Sequence, residues 1–134
     1  MNLLRTLAVS LAVLIAAALP ALADEGHEHG DHKHTAQHGG VLAESGHHYL
    51  EFVAKNGELA VYITGDHGTD EMVSGAKATA AVLSKGKKVD VELAPETGAV
   101  LKGAGDFEAG PGTVIVLTLT MPKHDPEQIR VTLE

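Results

Sequence analysis

The stretch HYLEFVA-KNG-ELAVYIT, residues 48–64, holds two seven-residue runs whose apolar side chains fall at alternate positions, joined by Lys55-Asn56-Gly57. A period of two puts successive side chains on opposite faces of an extended strand. Asn-Gly between two such runs is the strongest short hairpin signal a sequence carries. From Val41 onward the same texture repeats. GVLAE (40–44) precedes the hairpin; KATAAVL (77–83), a turn at Ser84–Lys87, KVDVEL (88–93), AVLKG (99–103), TVIVLTLT (113–120) and QIRVTL (128–133) follow it. Leu59, Val61 and Ile63 are expected to face inward, as are Val89, Val91 and Leu93, and Ile129, Val131 and Leu133. TVIVLTLT is apolar enough to be a central strand. No helical period competes with these runs, and HDPEQ (124–128) has room for one turn at most. Seven or eight short strands with frequent turn signals predict an all-β chain, a single small antiparallel β-sandwich of immunoglobulin-like shape. A closed barrel is the alternative.

The first 40 residues are of a different kind. Met1–Arg5 carries one positive charge, Leu7–Leu19 is almost unbroken apolar sequence, and Ala21-Leu22-Ala23 follows Pro20. This is the pattern of a secretory signal peptide (1–23) with cleavage before Asp24. Its apolar run of about 13 residues falls short of the roughly 20 that span a bilayer, so no membrane insertion is expected after cleavage. Residues 24–40 hold five of the chain's nine histidines among acidic residues and glycines, with Ala36 their one hydrophobic residue. Such a segment buries too little apolar area to offset the entropy of ordering it, and is expected to be a flexible tail ahead of a 41–134 domain. Export of this kind places the protein in the periplasm or outside the cell.

Charge and composition narrow the chemistry. The net charge is −8, and loss of Arg5 with the leader makes it one unit more negative. Phosphate backbones and anionic lipid surfaces repel such a chain, so nucleic acid is not an expected partner, whereas cations are. There is no cysteine, which removes disulfides, thiolate metal sites and thiol nucleophiles. No H-E-x-x-H helix, G-x-S-x-G elbow or Gly-rich phosphate loop is present, and the expectation is a binding protein rather than an enzyme.

Three groups of residues are candidate metal ligands. His27, His29, His32, His34 and His38 lie among Asp24, Glu25, Glu28 and Asp31, and the H-x-H pairs 27/29 and 32/34 let two rings close on one ion. Cleavage before Asp24 leaves a histidine fourth from the new amino terminus, one place beyond that needed for a square-planar amine–amide chelate. The second group is His38, His47, His48 and Glu51. With Leu50 and Phe52 inward, His47 and Glu51 would lie together on the outer face. Alternatively, His48 sits at the sandwich rim with His38 brought alongside through Gly39-Gly40. The third is the loop TGDHGTDE (64–71), in which Asp66 or His67 could bridge; His124 is a weaker candidate. The loop's glycines and acids also suit a plain surface turn.

His38-Gly39-Gly40, the run Gly46–Val53, Leu59–Ile63 and SGAKATAAV (74–82) resemble small periplasmic β-domains associated with heavy-metal efflux. Such domains occur free-standing or as amino-terminal extensions of the adaptor subunits of resistance-nodulation-division metal pumps. The resemblance implies a metal-handling accessory role, with a periplasmic efflux component as a possible partner, and directs attention to His38, His47, His48 and Glu51. The helical hairpin and lipoyl-like segment of a full adaptor are missing here, so docking in the adaptor manner is not implied. With only Met72 and Met121 beyond the leader, cuprous ion is disfavoured, and the expected cargo is Cu²⁺ or Zn²⁺, with Ni²⁺ or Co²⁺ as further options. The function expected is binding of divalent transition metal for buffering, delivery or efflux. Its rival is a β-sandwich interaction module with an incidental His-rich leader.

Overall fold

The computed structural model describes residues 34–134; the expected signal peptide (1–23) and His27, His29 and His32 lie outside them. Eight strands follow one another: β1 (Val41–Ser45), β2 (His48–Lys55), β3 (Glu58–Gly65), β4 (Lys77–Ser84), β5 (Lys87–Pro95), β6 (Val100–Ala104), β7 (Val114–Thr120) and β8 (Glu127–Thr132). Each coincides within one or two residues with an alternating run of the sequence. All pairings are antiparallel, and the described residues contain no helix.

The strands form one continuous sheet in the order β1-β2-β3-β6-β5-β4-β7-β8, folded over on itself as a sandwich. The fold line is the β5–β6 junction, where only Ala94 and Pro95 pair with Lys102 and Leu101. One half is β1-β2-β3-β6 and the other β5-β4-β7-β8. The free edges meet on the far side, where Ser45 Oγ at the end of β1 donates to Glu127 Oε2 at the start of β8, at 2.8 Å.

The interior follows from the alternation. Leu50, Phe52, Leu59, Val61, Ile63 and Leu101 from one half face Ala80, Val82, Val91, Ile115, Leu117 and Leu119 from the other, all buried. Ile129 and Val131 join them, while Val89 and Leu133 are only partly covered at the margin. β7 is paired on both sides, by β4 and β8, as its continuous apolar run requires.

The crossover between halves demands a very close approach. A Cβ on Gly103 of β6 would stand 2.2 Å from the Glu92 carbonyl oxygen and 2.8 Å from Val91 Cγ1. Gly110, in contrast, has nothing within 4 Å of an added Cβ. Gly103→Ala should therefore destabilise the protein by about 1–3 kcal/mol through overpacking, whereas Gly110→Ala should stay within about 0.5 kcal/mol of wild type. Urea unfolding of both variants measures this; equal midpoints would show that the strand junction can give way freely.

Candidate functional site

The outer face of the β1-β2-β3-β6 half carries an unexpected feature, a buried carboxylate. Register places Leu42, Glu51, Tyr62 and Val100 in one row across the strands, on the side opposite Leu50 and Phe52. Such a face ordinarily meets water, yet Glu51 is only 5% exposed. What covers it is the chain just before β1. Glu51 Oε1 accepts from the His38 backbone N–H at 2.8 Å and the Gly40 N–H at 2.9 Å. Its Oε2 accepts from the Gln37 N–H at 3.0 Å and lies 2.8 Å from His38 Nδ1.

Burial favours the neutral form of Glu51, but the Gly40 amide, the His38 ring, the His38 amide and the Gln37 amide together outweigh it. They hold the carboxyl below its usual range. An ionised Glu51 accepts only, so His38 Nδ1 carries the proton toward it. In the neutral ring that leaves the Nε2 lone pair as the ligating position, the arrangement by which carboxylates orient metal-binding histidines.

The two tyrosines of this face act as platforms. The His38 ring stacks on Tyr62 with centroids 3.6 Å apart and planes 6° from parallel, and His34 stacks on Tyr49 at 3.4 Å and 17°. Residues 34–40 thus lie as a strap along the sheet, bordering a groove of about 580 Å³ that reaches Thr64 and Asp70. Residues 37–40 are hydrogen-bonded parts of the domain, which corrects the expectation of a flexible tail up to Gly40. The cause is the acceptor capacity of Glu51, which the composition of the leader does not disclose.

The remaining candidates gather at one end of the sandwich. His47 lies in the β1–β2 turn, with its Nδ1 3.8 Å from Asp66 Oδ2; His67 Nε2 is 3.5 Å from Asp66 Oδ1. One carboxylate thereby stands between two largely exposed imidazoles. His48 begins β2 on the inward side, half-buried, with its ring centre 6.1 Å from that of His124 in the β7–β8 turn. Neither arrangement expected for the second group is formed. Glu51 is closed over by the strap and pairs with His38 instead of His47, and His38 therefore does not approach His48. Sequence reading gave Asp66 and His124 little weight and missed Tyr49, Tyr62 and Glu127. Tyr62 could have been found by hairpin arithmetic, since Lys55 opposite Glu58 puts Glu51 opposite Tyr62, and Tyr49 by alternation, two positions from Glu51 on the same face.

Among the described residues, no group of three or more His, Asp or Glu side chains is set to hold a metal ion. What is present is a set of pairs. The chain matches no known protein family, no curated protein and no solved structure.

Glu51→Gln keeps the shape of the side chain but removes its charge and puts an amide donor where only donors converge. It should destabilise the domain by about 1–3 kcal/mol at pH 7. Because the folded-state value of Glu51 is depressed, its contribution is complete above the unfolded-chain value of roughly 4.3 and disappears as pH falls through the lower folded value. Urea midpoints of wild type and Glu51→Gln should accordingly differ at pH 7 and draw together as pH falls below the ordinary carboxylate range. A gap that stays constant with pH would assign the effect to packing.

Proposed function

We propose that this protein binds divalent transition-metal ions outside the cytoplasm, as a buffer or carrier, through imidazoles on the strap and at one end of the sandwich. The observation that carries this reading is the collection of histidines from separate connections. The β1–β2 turn contributes His47, the start of β2 His48, the β3–β4 loop His67, and the β7–β8 turn His124; His34 and His38 approach along the strap. The β2–β3 and β4–β5 turns at the opposite end hold Lys55, Lys85 and Lys87 and no histidine. Histidines placed only to satisfy local structure have no reason to segregate in this way.

Paired imidazoles and carboxylates suit modest, exchangeable binding. Cu²⁺ and Zn²⁺ accept such nitrogen ligands best, with Ni²⁺ and Co²⁺ following. His38, oriented by Glu51, is the ligand whose geometry is best prepared. His27, His29 and His32 extend the same chemistry along the leader. A catalytic metal centre needs fixed ligands with an open position and a placed base; pairs of half-exposed rings favour binding over turnover. The resemblance to domains of metal-efflux systems agrees with this role and makes a periplasmic efflux component the partner to test.

Calorimetric titration of the exported form with Zn²⁺ and Cu²⁺ tests the proposal. Wild type should bind both, and replacing His27, His29, His32, His34, His38, His47, His48 and His67 with Asn should abolish binding below roughly millimolar. Since imidazole must be neutral to ligate, affinity should weaken as pH falls through about 6.5. Retention of both metals by the substituted protein would overturn the proposal and favour the interaction-module reading.

A further inference from the structure

The mouth of the sandwich at the histidine end holds an arrangement distinct from the exposed pairs. His48 follows the inward alternation of Leu50 and Phe52, and Glu127 that of Ile129 and Val131, so the two point into the gap between the halves from opposite sides. Register confirms both faces, with His48 opposite Ser45 and Glu127 opposite the buried Leu119. The exposed His124 stands beside this rim in the β7–β8 turn, its ring centre 6.1 Å from that of His48. The Glu127 carboxylate spans it, with Oε2 on Ser45 Oγ at 2.8 Å and Oε1 3.4 Å from where a Cβ on Gly46 would stand.

One observation indicates a missing partner, and a second places another imidazole near enough to share it. The Nδ1 of His48 is buried and has no hydrogen-bond partner, a condition that native proteins rarely leave uncompensated. The His48 and His124 rings are 6.1 Å apart and steeply inclined, at 76°. With metal–nitrogen bonds of about 2.0–2.1 Å and each ring centre roughly 1.1 Å beyond its nitrogen, two imidazoles have centres roughly 5.2 Å apart on a tetrahedral ion and roughly 6.3 Å apart when they stand opposite each other. The observed 6.1 Å is nearer the second arrangement, and a tetrahedral ion would require the exposed His124 ring to swing inward by about 1 Å.

We propose that His48 and His124 bind one divalent transition-metal ion in the mouth of the sandwich, joining β2 of one half to the β7–β8 turn of the other. This deepens the metal-binding reading above and rests on it. Two imidazoles supply the protein ligands, water or an acceptor's side chain fills the remaining positions, and Glu127 provides negative charge at the same mouth. The ion gives the orphaned His48 nitrogen a partner. A site with two open positions is also one from which cargo can be handed on. Because its ligands come from both halves, occupancy is coupled to stability.

Thermal melts of the full exported chain with and without excess zinc sulfate, paired with zinc titrations, test this. Wild type should melt about 4–8 °C higher with zinc. His124→Asn, at an exposed turn position that leaves folding intact, should lose most of that rise and about one zinc equivalent. Lys88→Asn, exposed on β5 and outside every histidine pair, should keep the rise. If wild type takes up zinc but His124→Asn shows the same rise and stoichiometry, the mouth site is wrong and the broader proposal survives. If wild type takes up no zinc, both fall.

Discussion

Leu50 and Phe52 must point into the sandwich for its halves to close, and the pleat of β2 then leaves no freedom in the residues between and beside them. His48 is carried inward to the rim, Glu51 outward, and Tyr49 to the same outer side as Glu51. The hairpin through Asn56-Gly57 transmits this phase to β3, setting Tyr62 beside Glu51 and Thr64 beside Tyr49. A slip of one residue would exchange the two sets and bury the wrong side chains. The placement of every chemically interesting group on this half is therefore a consequence of packing two apolar residues.

An outward carboxylate normally keeps its water. Glu51 gives it up for four donors because the chain entering β1 turns back across the sheet and presents three amides and an imidazole. Gly40 permits that turn: a Cβ there would stand 2.3 Å from the Phe52 carbonyl oxygen. The negative charge that orders the strap also fixes which nitrogen of His38 is free, and the Tyr62 ring beneath fixes the plane in which it lies. One buried anion thus connects the folding of the strap to the chemistry of its histidine.

The strands were legible because alternation and turn residues are local signals, and all eight appear where the runs occur. The inward sets Leu59, Val61 and Ile63, and Ile129 and Val131, could be read for the same reason. Long-range placement was not. Nothing local says that Glu127, far along the chain, meets Ser45, or that His124 approaches His48 across the gap. The strap was misjudged for a related reason: low apolar content argues against a core but is silent about amides that fit a distant carboxylate. Composition reports what a segment can bury, not what charge it can satisfy.

The histidines fall into chemically different settings. His47 and His67 flank Asp66 in the open, where a carboxylate between them attracts cations but imposes little geometry. His38 is oriented from behind by a buried anion, and His48 faces inward, half-buried at the rim, with an unsatisfied nitrogen. Affinity should rise along this series, since less ordering remains to be done when the ion arrives. Exposed groups gain cations quickly and lose them quickly; preorganised ones hold them. On the metal-binding proposal, a surface graded in this way would gather ions at its periphery and retain them at the mouth, with imidazole and carboxylate in place of thiolate.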